Sequence, residues 1–310
     1  MGKRPPSSED MEKGREKARP SMPPPHLCPP PPKPWVPWLV PIIFVANVAV
    51  FIYTMYVNDC PSIDENKCIL PSLKRFSFQP FKENPLLGPA GLTLKKLGAL
   101  ERQLVVEEGE GWRLLSCMWL HAGVVHLLAN MMSLLFIGIR LEQEFGFIRI
   151  GLLYVLAGLG GSLGSTMHLM RTTSPTISVG ASGALFGLLG AMLSELLINW
   201  TIYVNKCTAL LILIVVIALN MAVGFLPKVD NSAHIGGFLA GFFLGFVILV
   251  RPQYGYIRRK HLPSTYEGKH KPRHKGYQYV LGISALVILI LGYTYGFGKL
   301  YGLKALKNLP

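Results

Sequence analysis

Asn231-Ser-Ala-His234-Ile-Gly236-Gly237-Phe-Leu-Ala-Gly241-Phe-Phe-Leu-Gly245-Phe-Val-Ile-Leu-Val250 runs for 20 residues without Lys, Arg, Asp or Glu. A hydrocarbon core about 30 Å thick is crossed by roughly 20 apolar residues of helix. Six other runs have the same character: 34–58, 114–139, 150–170, 172–194, 207–227 and 276–298. Together the seven cover 159 of 310 residues, and all 48 charges fall in the remaining 151. The chain is 15% charged, against about 25% for an average soluble domain. A soluble globular enzyme and a disordered chain are both excluded. A β-barrel is excluded because the runs are continuous, not alternating. The expected fold class is all-α, a polytopic membrane helical bundle of seven spans.

The formal net charge is +14. Basic residues beside spans follow the positive-inside rule, and no finger, aromatic-basic platform or zinc spacing accompanies them. Nucleic acid is therefore not an expected partner, and neither a metal nor a cofactor is expected. Residues 1–34 are Pro-rich, with Pro29-Pro30-Pro31-Pro32, and read as a disordered tail instead of a cleaved signal peptide. With that tail in the cytosol, 18 basic residues lie inside and 13 outside, eight of the 13 in the long 59–113 loop. Long translocated loops obey the rule poorly, so the discounted ratio favours a cytosolic N-terminus and an outer C-terminus. Asn199-Trp200-Thr201 is the one acceptor sequon and falls on the cytosolic side, where no glycan is expected. Cys60 and Cys68 share the outer loop, where a disulfide would persist. Cys117 and Cys207 read as packing residues within spans.

Polar side chains are costly in hydrocarbon and mark function by default. The runs contain His121, His126 and Asn130 in the second, His168 in the third, Ser182 in the fourth, Asn220 in the fifth and His234 in the sixth. His126 and Asn130 are four apart and share a helix face. Alone they also read as interhelical hydrogen-bonding residues. Ser182 sits in Gly180-Ala181-Ser182-Gly183, a small-residue setting like that of a serine nucleophile, though small residues also serve helix packing. Gly237 and Gly241 form a close-packing pair one turn beyond His234. The second, fourth and sixth spans run in the same direction, and their polar groups lie at similar depth. If the glycine faces of spans four and six meet, Ser182 and His234 come within hydrogen-bond range and Phe186 stacks on the imidazole. Ser182 is then a nucleophile and His234 a general base and acid. His126, the Asn130 amide and the Ser182 N–H can serve an oxyanion. No carboxylate lies in any run, so the expected unit is a dyad.

These residues, in this order, resemble the rhomboid family of intramembrane serine proteases. The resemblance rests on Trp112-Arg113, placed at the start of the second span, His121…His126…Asn130, Gly180-Ala181-Ser182-Gly183 and Ala233-His234-x-x-Gly237-x-x-x-Gly241. It covers about residues 35–298. Asn84-Pro-Leu-Leu-Gly-Pro89 with Leu92-Thr-Leu-Lys-Lys-Leu-Gly-Ala99 looks like its plant branch. Cys117 stands where some bacterial members have His, and Phe186 where some have Tyr. The resemblance implies a six-helix core over 35–250 with the outer loop 59–113. A basic cytosolic loop (251–275), a seventh helix (276–298) and a short outer tail (299–310) follow. It implies Ser182 and His234 as catalytic residues, His126 and Asn130 at the oxyanion hole, and Gly180, Gly183, Phe186, Gly237 and Gly241 in support. Implied substrates are single-span membrane proteins in the bilayer, cut in or near their membrane segment to release an outer domain. The fifth span and Leu226–Asp230 would gate entry, and the implied setting is the Golgi or plasma membrane. Two rivals stay open: a catalytically inactive relative that binds or sorts membrane clients, and a transporter using His126, Asn130 and His234 as a polar pathway.

Overall fold

The computed structural model describes residues 36–63, 67–170, 177–224, 229–252 and 274–307, the side chains of Ile63, Val223 and 303–307 excepted. The tail 1–34, most of the basic loop 251–275, Arg171 and residues 225–228 lie outside the described residues. The described chain is all-helical and forms a polytopic bundle. Its apolar helices are α1 (Leu39–Asn58), α2 (Val124–Phe145), α3 (Phe147–Leu169), α4 (Ser182–Ile198), α5 (Lys206–Val223), α6 (Asn231–Ile248) and α7 (Gly276–Lys307). Five are long and apolar enough to cross a membrane, whereas α4 and α5 are shorter.

Several expected boundaries move. The second span starts at Val124, not at residue 114. Leu120–Gly123 is irregular, and Trp112-Arg113 belongs to the separate helical turn Arg113–Ser116 and its flank. Arg113 is buried there and donates through Nη1 to the Lys95 and Ala99 carbonyls at 2.6 and 3.0 Å, folding the first loop back on itself. Cys117 lies in the 3-10 turn Cys117–Trp119, outside the span, and burial pushes its thiol up to about 11. Residues 299–307, expected as a tail, continue α7. Cys60 and Cys68 form a disulfide.

Glycines set the centre of the bundle. A β-carbon on Gly237 or Gly241 of α6 would overlap the carbonyl of Gly183 or Gly187 of α4, and one on Gly236 would overlap Gly160 of α3. Without side chains between them, α3, α4 and α6 pack backbone to backbone. α4 is buried on nearly every face, which explains why it is apolar all round and lacks an amphipathic stripe. α5 is the opposite case: Leu213 is its one buried residue among those described, while Leu211, Ile212 and Leu219 are exposed.

Two carboxylates lie within helices just past the uncharged runs. Glu142, fully buried in α2, accepts the Trp38 and Leu39 N–H groups on Oε1 and the Val40 N–H on Oε2. It thereby caps the first turn of α1, whose N–H groups have no partner within their own helix. Glu195, in the last turn of α4, accepts from Asn199 and Tyr203. Asn199, the sequon residue, is fully buried. Its amide donates to Glu195 and the Leu249 carbonyl and accepts from the Arg251 N–H. A glycan on Asn199 would break these bonds, so none is compatible with the fold as it stands.

Candidate active site

The chain enters α4 along an extended segment. Leu100 and Ser178 exchange backbone hydrogen bonds at 2.9 Å in both directions, and the Gly180 N–H donates to the Cys117 carbonyl at 2.9 Å. Gly180 then takes φ +126, a left-handed conformation open to glycine at no steric cost. Its missing side chain matters too: a β-carbon would stand 2.7 Å from His126 Cε1. Ala181 is fully buried, and Ser182 is the first residue of α4. The Ser182 hydroxyl therefore sits at a helix N-terminus, among N–H groups that the helix does not use and at the positive end of its dipole.

His234 approaches from the first turn of α6, where its N–H donates to the Asp230 carbonyl at 3.3 Å. The Gly183/Gly237 contact brings α6 against α4, and His234 Nε2 lies 3.0 Å from Ser182 Oγ. The Phe186 ring stacks on the imidazole with centroids 4.2 Å apart and planes 22° apart. No described residue bonds His234 Nδ1, so no carboxylate among the described residues orients the ring from behind.

His126, in the first turn of α2, accepts the Ala122 N–H on Nδ1 at 3.3 Å. A neutral imidazole accepting on one nitrogen carries its proton on the other. His126 Nε2 is then a donor, and it faces the space beside Gly180. A β-carbon built there would be 2.9 Å from His126 Nε2 and 3.7 Å from Ser182 Oγ. The two groups thus border the same gap. Asn130 is buried one turn deeper, and its amide donates to the His126 carbonyl at 3.0 Å. The structure places Asn130 on the His126 face but not in hydrogen-bond contact with Ser182 or His234.

The other polar residues separate. His121 precedes α2 and is fully buried, edge-on to His126 with centroids 5.3 Å apart. Burial first, and His126 second, push its pKa down to about 3. Asn220 donates to the Val216 carbonyl of its own helix, and His168 is exposed near the end of α3. Cys207 is exposed in the first turn of α5. Two contacts near the site escaped sequence reasoning. The Cys117 thiol meets the Ser162 hydroxyl of α3 at 3.3 Å, and the Ser165 hydroxyl donates to Asp230. Neither pair has a sequence spacing that announces it. Among the described residues no group of three or more His, Cys, Asp or Glu side chains could hold a metal ion.

The arrangement can support acyl transfer: a hydroxyl, a base within hydrogen-bond range, and donors beside them. Comparison with known proteins bears on the family. Residues 108–251 match the family model described as Rhomboid domain. The chain is 60% identical to RHOMBOID-like protein 5 of Arabidopsis thaliana over 100% of its own length and 98% of that protein. It is 44% identical to Inactive RHOMBOID-like protein 8 of the same plant, over 75% of this chain and 64% of the other. With Rhomboid protease GluP of Bacillus subtilis it shares 37% identity over 59% of this chain and 36% of that one.

Proposed function

Since the chain belongs to the rhomboid family, we propose that it is an intramembrane serine endopeptidase that cuts single-span membrane proteins in or near their membrane segment. The observation that carries this reading is the 3.0 Å approach of His234 Nε2 to Ser182 Oγ under the stacked Phe186 ring. Nothing in helix packing alone calls for a hydroxyl bonded to an imidazole whose plane is held by an aromatic ring.

The steps follow from the atoms. Ser182 Oγ attacks the scissile carbonyl carbon while His234 Nε2 takes the hydroxyl proton. The oxygen that becomes negative is served by His126 Nε2–H, the Ser182 backbone N–H and, after a small shift, the second N–H of the Asn130 amide. His234 returns the proton to the leaving amine. A water, deprotonated by the same nitrogen, then releases the acyl group and restores the serine. With no carboxylate on His234 Nδ1, the unit is a dyad, and Phe186 supplies the orientation that an aspartate gives in a triad.

α5 borders the Phe186 side of the site, packing Leu213 against the cluster that includes Phe186 and Leu189. Few buried contacts mean a low cost of local displacement, so α5 is the element that moves aside to admit a substrate helix. In this reading the site opens towards the lumenal or extracellular side of a Golgi or plasma membrane, with the N-terminus in the cytosol. The relative named inactive shows that family membership does not itself secure activity. The presence of Ser182, His234 and their contact favours the active reading for this chain. Cleavage of a model single-span substrate by wild type, but not by Ser182→Ala or His234→Ala, is the test.

A further inference from the structure

Asp230 is the residue immediately before α6, and it holds the first turn of that helix in three ways. Its Oδ1 accepts the Ala233 N–H at 3.0 Å, the side-chain cap that a helix N-terminus favours. Its carbonyl accepts the His234 N–H at 3.3 Å. Its Oδ2 accepts the hydroxyl of Ser165, a fully buried residue of α3.

The neighbouring contact explains why the third bond matters. β-carbons on Gly161 and Gly164 of α3 would stand 2.9 Å from the Ala233 carbonyl oxygen and 2.8 Å from that of Ser232. The first turn of α6 thus rests on a smooth glycine surface. Such a surface lets helices approach closely but offers no knobs to resist sliding along the axis. Phe186 fixes the plane of the His234 ring, not the height of the helix that bears it. The bond from Ser165 to Asp230 is, among the described residues, a polar contact that ties this turn to α3.

We propose that Asp230, clamped by Ser165, is a positioning residue that sets the height of His234 against Ser182. It is not a catalytic residue: its carboxylate oxygens are engaged by Ala233 and Ser165, and no bond joins them to the imidazole. The inference rests on the Ser182–His234 reading above. A displacement of about 1 Å between reacting groups costs on the order of a hundredfold in rate, so a frayed first turn is felt in turnover before substrate binding.

The test uses the full chain in lipid vesicles with Asp230→Ala, Asp230→Asn, Ser165→Ala and Ser182→Ala. Asparagine can keep both the cap and a bond to Ser165, with the hydroxyl then accepting. Asp230→Ala should lower kcat roughly five- to tenfold with KM nearly unchanged, Ser165→Ala should lower it less, and Asp230→Asn should return it to within about twofold of wild type. Backbone hydrogen exchange over 231–236 should rise in Asp230→Ala but not in Asp230→Asn. Wild-type kcat in Asp230→Ala, equal loss in the Asn and Ala variants, or unchanged exchange in Asp230→Ala would each overturn the clamp. If wild type and Ser182→Ala release equal product, the protease reading has failed instead, and the exchange data alone still decide the clamp.

Discussion

The Gly183 carbonyl of α4 occupies the space where a β-carbon of Gly237 in α6 would stand. That contact lets the two helices approach until Ser182 Oγ and His234 Nε2 are 3.0 Å apart. Gly237→Ala must push α6 away from α4, since the obstacle is backbone and cannot rotate aside. Overpacking of this kind costs about 1–3 kcal/mol. We expect a lower unfolding midpoint in detergent together with a fall in turnover larger than the stability loss explains. Reading both on the same preparation separates the two effects.

His126 and Asn130 make a different prediction. Removing one donor from a developing oxyanion costs on the order of 10²–10³ in kcat. His126→Ala should show that loss, because its Nε2 faces the gap beside Gly180. Asn130→Ala should lose turnover while expression and substrate capture persist. If the Asn130 variant simply unfolds, its bond to the His126 carbonyl is structural and the oxyanion role passes to His126 and the Ser182 N–H.

Glu142 tests the scaffold without touching the site. Its carboxylate accepts three backbone N–H groups at the start of α1. Hydrogen bonds to a charged group contribute about 1.5–3 kcal/mol. Glu142→Ala should therefore lower the thermal midpoint clearly, and Glu142→Gln by less, because its amide keeps one accepting oxygen. Catalysis per folded molecule should stay near wild type at a temperature where both are folded.

Orientation is read directly at the chain ends. In sealed vesicles whose cytosolic face points outward, added protease should remove a tag at the N-terminus and leave one at the C-terminus protected. The reverse pattern would invert the assignment.

The spans were legible because 20 consecutive residues without a charge are rarely anything but a membrane helix. Their ends were less so. The run 114–139 looked like one helix, yet Gly123 is extended, and a β-carbon on it would crowd the Leu86 carbonyl. Hydropathy does not distinguish a buried loop from a buried helix. The meeting of Ser182 and His234 was legible because glycines at i and i+4 mark a helix face by spacing alone. The bonds of Glu142 to the start of α1 and of Ser165 to Asp230 were not, since the paired residues lie 65 or more positions apart in sequence. Such pairings depend on how helices are arranged, which no local pattern encodes.

Cleavage of a single-span substrate by purified protein in lipid vesicles tests the Ser182–His234 dyad most directly, with wild type, Ser182→Ala and His234→Ala measured side by side. The dyad predicts product from wild type and a fall of on the order of a thousandfold or more in each variant, with all three folded and bound alike. Equal product from the three proteins would contradict it.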